Sequence, residues 1–143
     1  MKKQFSSAWK ASKQPRKQRK YRAEAPKHIK RKLISAHLSK ELRQKYKRRA
    51  FAVRKGDTVK VMVGEFAGKS GKISIVDLMK MKVMIEGLQI TKRDGSKANA
   101  PFNASNLMIT ELALDDKRRM ESLNKNQTKS EIKKEEHKTG VKK

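Results

Sequence analysis

The chain has no cysteine, one tryptophan and three prolines in 143 residues, and aromatic side chains make up 5% of it. Without cysteine there are no disulfides and no thiolate zinc sites, and the redox compartment stays undetermined. No apolar run approaches the roughly 18 residues that a membrane-spanning helix needs. The N-terminus begins Met1-Lys2-Lys3 but lacks the apolar region of a signal peptide, so secretion is not expected. Acids are also scarce, 14 against 39 Lys and Arg, which gives a net charge of +25. With 35% hydrophobic residues, any core must be small. Such a charge points to a polyanionic partner, because bound cations neutralise phosphates and release counterions.

The excess charge is unevenly placed. Residues 1–55 hold 21 Lys/Arg and 2 acids, residues 56–112 hold 8 and 6, and residues 113–143 hold 10 and 6. This is the pattern of a nearly neutral folded body with one cationic arm and a mixed-charge tail. The tail from Asn124 onward is rich in Lys, Glu, Asn, Thr and Ser, and is expected to be disordered or ordered by a partner. Residues 1–24 carry "KQPRKQRKYR" without an apolar period, which predicts an extended arm.

From Ala25 the pattern changes. Pro26 suits a first helical turn, and Ile29 and Leu33 fall on one helix face. Ser39 is a candidate N-cap for "KELRQKY", with Glu41 in the first turn, where the helix dipole favours an acid. Two short helices are predicted, near 26–34 and 39–46. Helices shorter than about 12–15 residues are marginal alone, so both need a surface to pack on.

That surface is the segment "VRKGDTVKVMVGEFAGKSGKI", Val53 to Ile73. Val59, Val61 and Val63 alternate with polar or flexible residues at the period of a half-buried strand. Gly64 to Gly68 forms a turn, and "KISI" alternates again. "KVMIEGL" predicts a third strand, "LQIT" a fourth, and Arg93-Asp94-Gly95-Ser96 a hairpin turn. "APFNASN" separates these from a last strand, "LMITEL". Five short strands joined by tight turns predict a small barrel or half-barrel. "DDKRRMESL", Asp115 to Leu123, predicts a short surface helix. The expected units are thus an arm (1–24), a helical segment (25–49), a β domain (50–112) and a helix with charged tail (113–143).

The Gly-punctuated hairpin resembles a KOW motif, found in ribosomal proteins and transcription elongation factors. With its flanks, "PRKQRKYRAEAPKHIKRKLISAHLSKELRQKYKRRAFAVRKGD" and "NASNLMITELALDDKRR", the chain resembles the archaeal and eukaryotic branch of a universal large-subunit ribosomal protein family. The bacterial form of that protein is called protein twenty-four. The resemblance covers roughly residues 12 to 123. It implies a mostly β fold: a small SH3-like (KOW) barrel with a basic arm, two short N-terminal helices and a charged C-terminal tail. It also implies a cytoplasmic protein of the large subunit that binds its RNA directly near the 5′ end. Early assembly, a place near the peptide exit tunnel and neighbouring ribosomal proteins follow from the same resemblance. No enzyme activity, cofactor, small-molecule substrate or membrane partner is implied. The chain departs from the family pattern at Val63 and Ala67, where relatives often carry Arg and Lys. Lys47 stands where Gly is common, and Asn103-Ala104 stands where His-Pro is usual.

The candidate RNA-binding residues fall in five groups. Arg16, Lys17, Arg19, Lys20 and Arg22 lie in the arm, with Trp9 and Tyr21 interleaved as possible base-stacking platforms. Lys30, Arg31 and Lys32 lie in the first helix, and Arg48, Arg49, Arg54 and Lys55 flank the entry to the sheet. Gly68 and Lys69 belong to the hairpin loop, and Ser105 and Asn106 precede the last strand. For Gly64, Gly68 and Gly71 two readings stay open: hairpin geometry, or close backbone approach to RNA. His28, His37 and His137 show no metal-ligand spacing, and no Ser-His-Asp, P-loop or paired-carboxylate arrangement is found. The five methionines between Met62 and Met108 are expected to be flexible core filler. The alternative is the RNA-binding KOW module of an elongation factor, which would need a further polymerase-contacting domain. An RNA-acting enzyme and a DNA-binding chromatin protein are the remaining rivals. The first lacks a base or metal constellation, and the ribosomal flanks weigh against the second.

Overall fold

A computed structural model describes residues 5, 6 and 12–124. Residues 1–4 and 7–11 of the predicted arm lie outside the described residues, and the part from Pro15 on is not extended. It forms α1, Pro15–Glu24, with Pro15 in the first turn, where the missing N–H costs nothing. Its Arg, Lys, Gln and Glu residues are good helix formers, and none of its side chains is buried. A search for an apolar period misses such a helix because it has no apolar face. The chain turns extended at Ala25, as the following Pro26 demands, and Pro26 then caps α2, Lys27–Leu33. The expected apolar face of α2 is rotated. Leu33 is 41% exposed, and Lys30 and Ile34 are buried instead.

Between α2 and the next helix runs β1, Ser35–Leu38, a strand that four residues were too few to announce. The predicted helical segment 25–49 therefore also contributes to the sheet. α3, Lys40–Tyr46, forms as expected. The Ser39 Oγ accepts the Leu42 N–H at 3.3 Å, and Glu41 sits in the first turn. α3 ends at Lys47, which takes the left-handed conformation (φ 50°) that glycine adopts more cheaply.

The remaining elements are β2 (Ala50–Ala52), β3 (Thr58–Val61), β4 (Ser70–Asp77), β5 (Lys82–Thr91), β6 (Lys97–Phe102), a 3-10 turn (Ala104–Asn106) and β7 (Leu107–Glu111). One seven-stranded sheet results, in the order β2-β1-β7-β3-β4-β5-β6. All pairings are antiparallel except β1 with β7, which is parallel. β2 and β6 are the edges, so of the barrel or half-barrel that the strands predict, hydrogen bonds do not close a full barrel.

Two strand predictions change. The third and fourth predicted strands are one ten-residue strand, β5, with its register shift between Met84 and Gln89. Gly87, at φ 78°, lets the chain bulge there and resume pairing instead of breaking. "APFNASN" is not connector throughout: its first three residues belong to β6, an edge strand where Pro101 is tolerated because no further ladder is needed. The Arg93–Ser96 turn joins β5 to β6. The Asp94 carboxylate accepts the Ser96 N–H and O–H, and these bonds hold its pKa below the usual value.

Val59, Val61, Ile73, Val83, Ile85, Leu107 and Ile109 are almost fully buried and form the core with Leu38 and Ile34. The alternation of β3 ends one residue pair early, since Val63 is exposed on the loop that follows. Of the methionines, Met62 and Met79 are exposed rather than core filler, while Met81 packs against the core.

Residues 117–124 form a last helix, α4. It was expected on the surface, but it is docked: Leu123 is fully buried and Arg119 nearly so. Arg119 reaches Asp57, which is 0% exposed, through two N–H···O bonds of 2.7 Å each. The predicted tail lies outside the described residues, apart from Asn124.

Candidate nucleic-acid interface

Helix α1 presents a cationic surface by default. Its length spreads Arg16, Lys17, Arg19, Lys20 and Arg22 around most of the axis, leaving the side of Gln18 and Tyr21 without a cation, and all five are exposed. Among the described residues, the Lys20–Glu24 pair, 3.9 Å and one helical turn apart, is the only ion pair of α1 that offers internal compensation. Tyr21 packs its ring against Phe5 (centroids 4.9 Å apart), so it is engaged within the protein rather than held out for a base. Trp9 lies outside the described residues.

The second group splits. Lys30 is 4% exposed, with far less surface to offer than Arg31 and Lys32, which are exposed. The helical repeat explains the difference, because Lys30 faces the sheet and its neighbours face away. In the third group, Arg49 and Lys55 are exposed. Arg48 lies over the Phe51 ring at 5.5 Å, and its Nε is buried without a hydrogen-bond partner. Arg54 pairs with Asp116 at 3.1 Å, and its own N–H donates to Asp57 at 2.9 Å. Folding brings Arg31, Arg54 and Lys55 together around one depression of about 470 Å³, although α2 and the β2–β3 turn are over twenty residues apart. A second depression, of about 310 Å³, is lined by Arg31, Arg54, Arg118 and Arg119 and by Asp116, the partner of Arg54. Arg118 was not foreseen. It belongs to a tail of mixed charge, and only the docking of α4 carries it to this face.

The β3–β4 loop settles the glycine geometry. Gly64 and Gly68 take φ 99° and 85°, and a Cβ at either would meet nothing within 4 Å. Their role in the fold is conformational. Gly71 differs. It lies in β4 without a positive φ, and a Cβ there would come within 2.8 Å of Ile85 and 3.0 Å of the Glu86 carbonyl. Hydrogen bonds from the Gly68 N–H to the Val61 carbonyl and from the Val61 N–H to the Lys69 carbonyl close the loop. They leave the Lys69 ammonium 5.0 Å from the centre of the Phe66 ring.

Ser105 and Asn106 sit in the 3-10 turn. The Asn106 carbonyl accepts the Met62 N–H at 2.8 Å, which ties this turn to the start of the β3–β4 loop. Ser105 is exposed and shares a cleft with Arg22. Among the described residues no group of three or more His, Asp or Glu could hold a metal ion, and no helix is long and apolar enough to cross a membrane.

The geometry is that of a cationic scaffold, and comparison with known proteins agrees in kind. The family of ribosomal proteins that joins eukaryotic L26 to its archaeal L24 counterpart matches residues 12–126. The chain belongs to this family. A "Large ribosomal subunit protein uL24" of Methanosphaera stadtmanae is 47% identical over 114 residues, covering 80% of this chain and 97% of the relative. The protein of the same name from Methanocella arvoryzae is 50% identical over 112 residues (78% and 90%), and that of Methanospirillum hungatei 48% identical over 112 residues (78% and 93%). The match embraces both flanks of the glycine loop as well as the loop itself. As a member of a ribosomal-protein family the chain is structural, not an enzyme.

Proposed function

We propose that the protein is a structural constituent of the large ribosomal subunit in the cytoplasm, where it binds large-subunit RNA directly near the 5′ end. It supports early assembly beside neighbouring ribosomal proteins, close to the peptide exit tunnel. The sheet acts as an SH3-like, KOW-type bead that orients two cationic elements. These are helix α1 and the ridge of Arg31, Arg54, Lys55 and Arg118. The observation that carries this reading is α1, which exposes five cations and buries no side chain. A polar helix of ten residues gains little from the protein alone, and a polyanion supplies what it lacks. Phosphate contacts give position, while RNA shape and unpaired bases give specificity.

The test replaces Arg16, Lys17, Arg19 and Lys20 together by Gln, which keeps helix propensity and removes four charges. Affinity for large-subunit RNA is measured at several potassium concentrations. The log–log salt slope is expected to flatten by about 3 to 4, at roughly 0.7–0.9 per phosphate contact. An unchanged slope would show that α1 does not bind phosphates.

A further inference from the structure

One cleft is built differently from the cationic ridge. It has a volume of about 510 Å³ and is lined from four parts of the chain. Arg22 at the end of α1 and Lys80 in the β4–β5 turn are its cations. Leu33 and Met81 supply aliphatic surface, backed by the nearly buried Ile34 and Ala104, and Ser35, Asn103 and Ser105 supply hydroxyl and amide groups. No acid lines it.

We propose that this cleft receives a single unpaired nucleotide of the bound RNA. The size falls within the range of small-ligand sites, roughly 300–1,000 Å³. The aliphatic wall offers a surface for the face of a base, and Leu33 is left 41% exposed at the end of α2 to provide it. The Asn103 oxygen accepts a hydrogen bond from the Lys82 ammonium at 2.7 Å, so the amide nitrogen keeps two N–H donors for a base edge or a 2′-hydroxyl. The β4–β5 turn is held in place. The Asp77 carboxylate accepts the Lys80 and Met79 N–H groups at 3.0 and 2.8 Å, and the Lys80 bond is the main reason its pKa falls below the usual value. Met81, next in the chain, takes φ 55°, a conformation non-glycine residues seldom adopt outside functional or tightly determined sites.

The nucleotide arrives as part of a chain rather than free. Arg22 is both the rim of the cleft and the last cation of α1, so phosphates following α1 lead directly to the opening. A paired base is stacked and cannot leave its helix cheaply, whereas a bulged or looped base can enter. The inference rests on the RNA-binding reading above and assigns part of that surface a specific occupant.

The test places the photo-crosslinker p-benzoylphenylalanine at Leu33, in the cleft, or at Lys17, on α1, in the full chain. Each protein is irradiated with purified large-subunit RNA and the crosslinked nucleotide is mapped. A crosslink from position 33 to one unpaired nucleotide is expected. Lys80→Gln with Asn103→Ala should then lower affinity for that RNA by about tenfold or more, the scale of a lost charge-assisted contact. The same pair of changes should lower affinity for a fully paired RNA duplex by much less, through the lost Lys80 charge alone. If position 17 crosslinks and position 33 gives nothing, or maps to paired RNA, the nucleotide site is wrong and the role of α1 survives. If neither position crosslinks, both readings fall. Saturable binding of adenosine monophosphate without any RNA crosslink from position 33 would make this a small-molecule site and overturn the proposal.

Discussion

Asp57→Ala is the sharpest test of how this small domain holds itself together. Asp57 is wholly buried and the Arg119 side chain is 7% exposed. Their two parallel hydrogen bonds form a bidentate pair, the strongest geometry available to these groups. Asp57 also accepts the N–H groups of Arg54 and Ala113 at 2.9 and 3.0 Å. Arg119 donates further to the carbonyls of Ala113 and Ala52 at 2.8 and 3.4 Å. Removing the carboxylate leaves the buried guanidinium without its counter-charge, with only the Ala113 and Ala52 carbonyls as acceptors, and leaves the Arg54 and Ala113 N–H groups without theirs. Breaking a buried pair from one side costs about 3–5 kcal/mol. Domains of this kind have about 5–15 kcal/mol in total. With a urea m-value of about 1–3 kcal/mol per M, the unfolding midpoint should fall by roughly 2 M. Arg54→Ala removes a pair whose side chains are 42% and 35% exposed, and should cost no more than about 1 kcal/mol. Urea unfolding followed by circular dichroism, with Asp57→Ala, Arg119→Ala and the double variant, completes the cycle. The double variant should cost less than the two single losses together, by about 1–3 kcal/mol. Additive losses, or a shift for Asp57→Ala no larger than that for Arg54→Ala, would refute the account of the pair as the link between α4 and the sheet.

Three further outcomes are expected. Val61→Asp places an unpartnered charge at a position 1% exposed and should abolish the cooperative thermal transition; a melt like that of the parent would contradict the burial. Gly71→Ala should destabilise by about 1–3 kcal/mol in urea titrations, because the new methyl meets Ile85 and a backbone carbonyl that has little room to move. Lys47→Gly should leave stability unchanged or raise it by about 1 kcal/mol, since relief of the left-handed strain is partly offset by the freer unfolded chain; a clear loss would mean that Lys47 makes a contact of greater worth.

Much of the architecture could be read from local pattern. The Ser39 cap, the alternation through Val59 and Val61 and the Asp94-Gly95 turn each act over a few residues, and each formed where expected. Pattern failed where the deciding interaction lay elsewhere. β1 is four residues long and is a strand because β2 and β7 flank it. "APFNASN" reads as a connector, but its first three residues end β6, and only the sheet order puts Pro101 on an edge, where proline is tolerated. The candidate interface divided in the same way. The exposure of the α1 cations follows from a composition with nothing to bury. The inward turn of Lys30 and the arrival of Arg118 beside Arg31 do not.

By itself the sequence determined the cationic character, the short capped helices, the strand periods and the glycine turns. All of these are set by charge count or by contacts a few residues apart, whose energies depend little on the rest of the chain. Tertiary structure alone decided which strands became neighbours, how β5 runs through Gly87, and that Asp57 and Arg119, 62 residues apart, share a buried pair. It also assembled the cleft of Arg22, Lys80 and Asn103 from segments with no common motif. Such juxtapositions arise from burying one shared core, whose geometry depends on all the packed elements at once and is written in no single stretch of sequence.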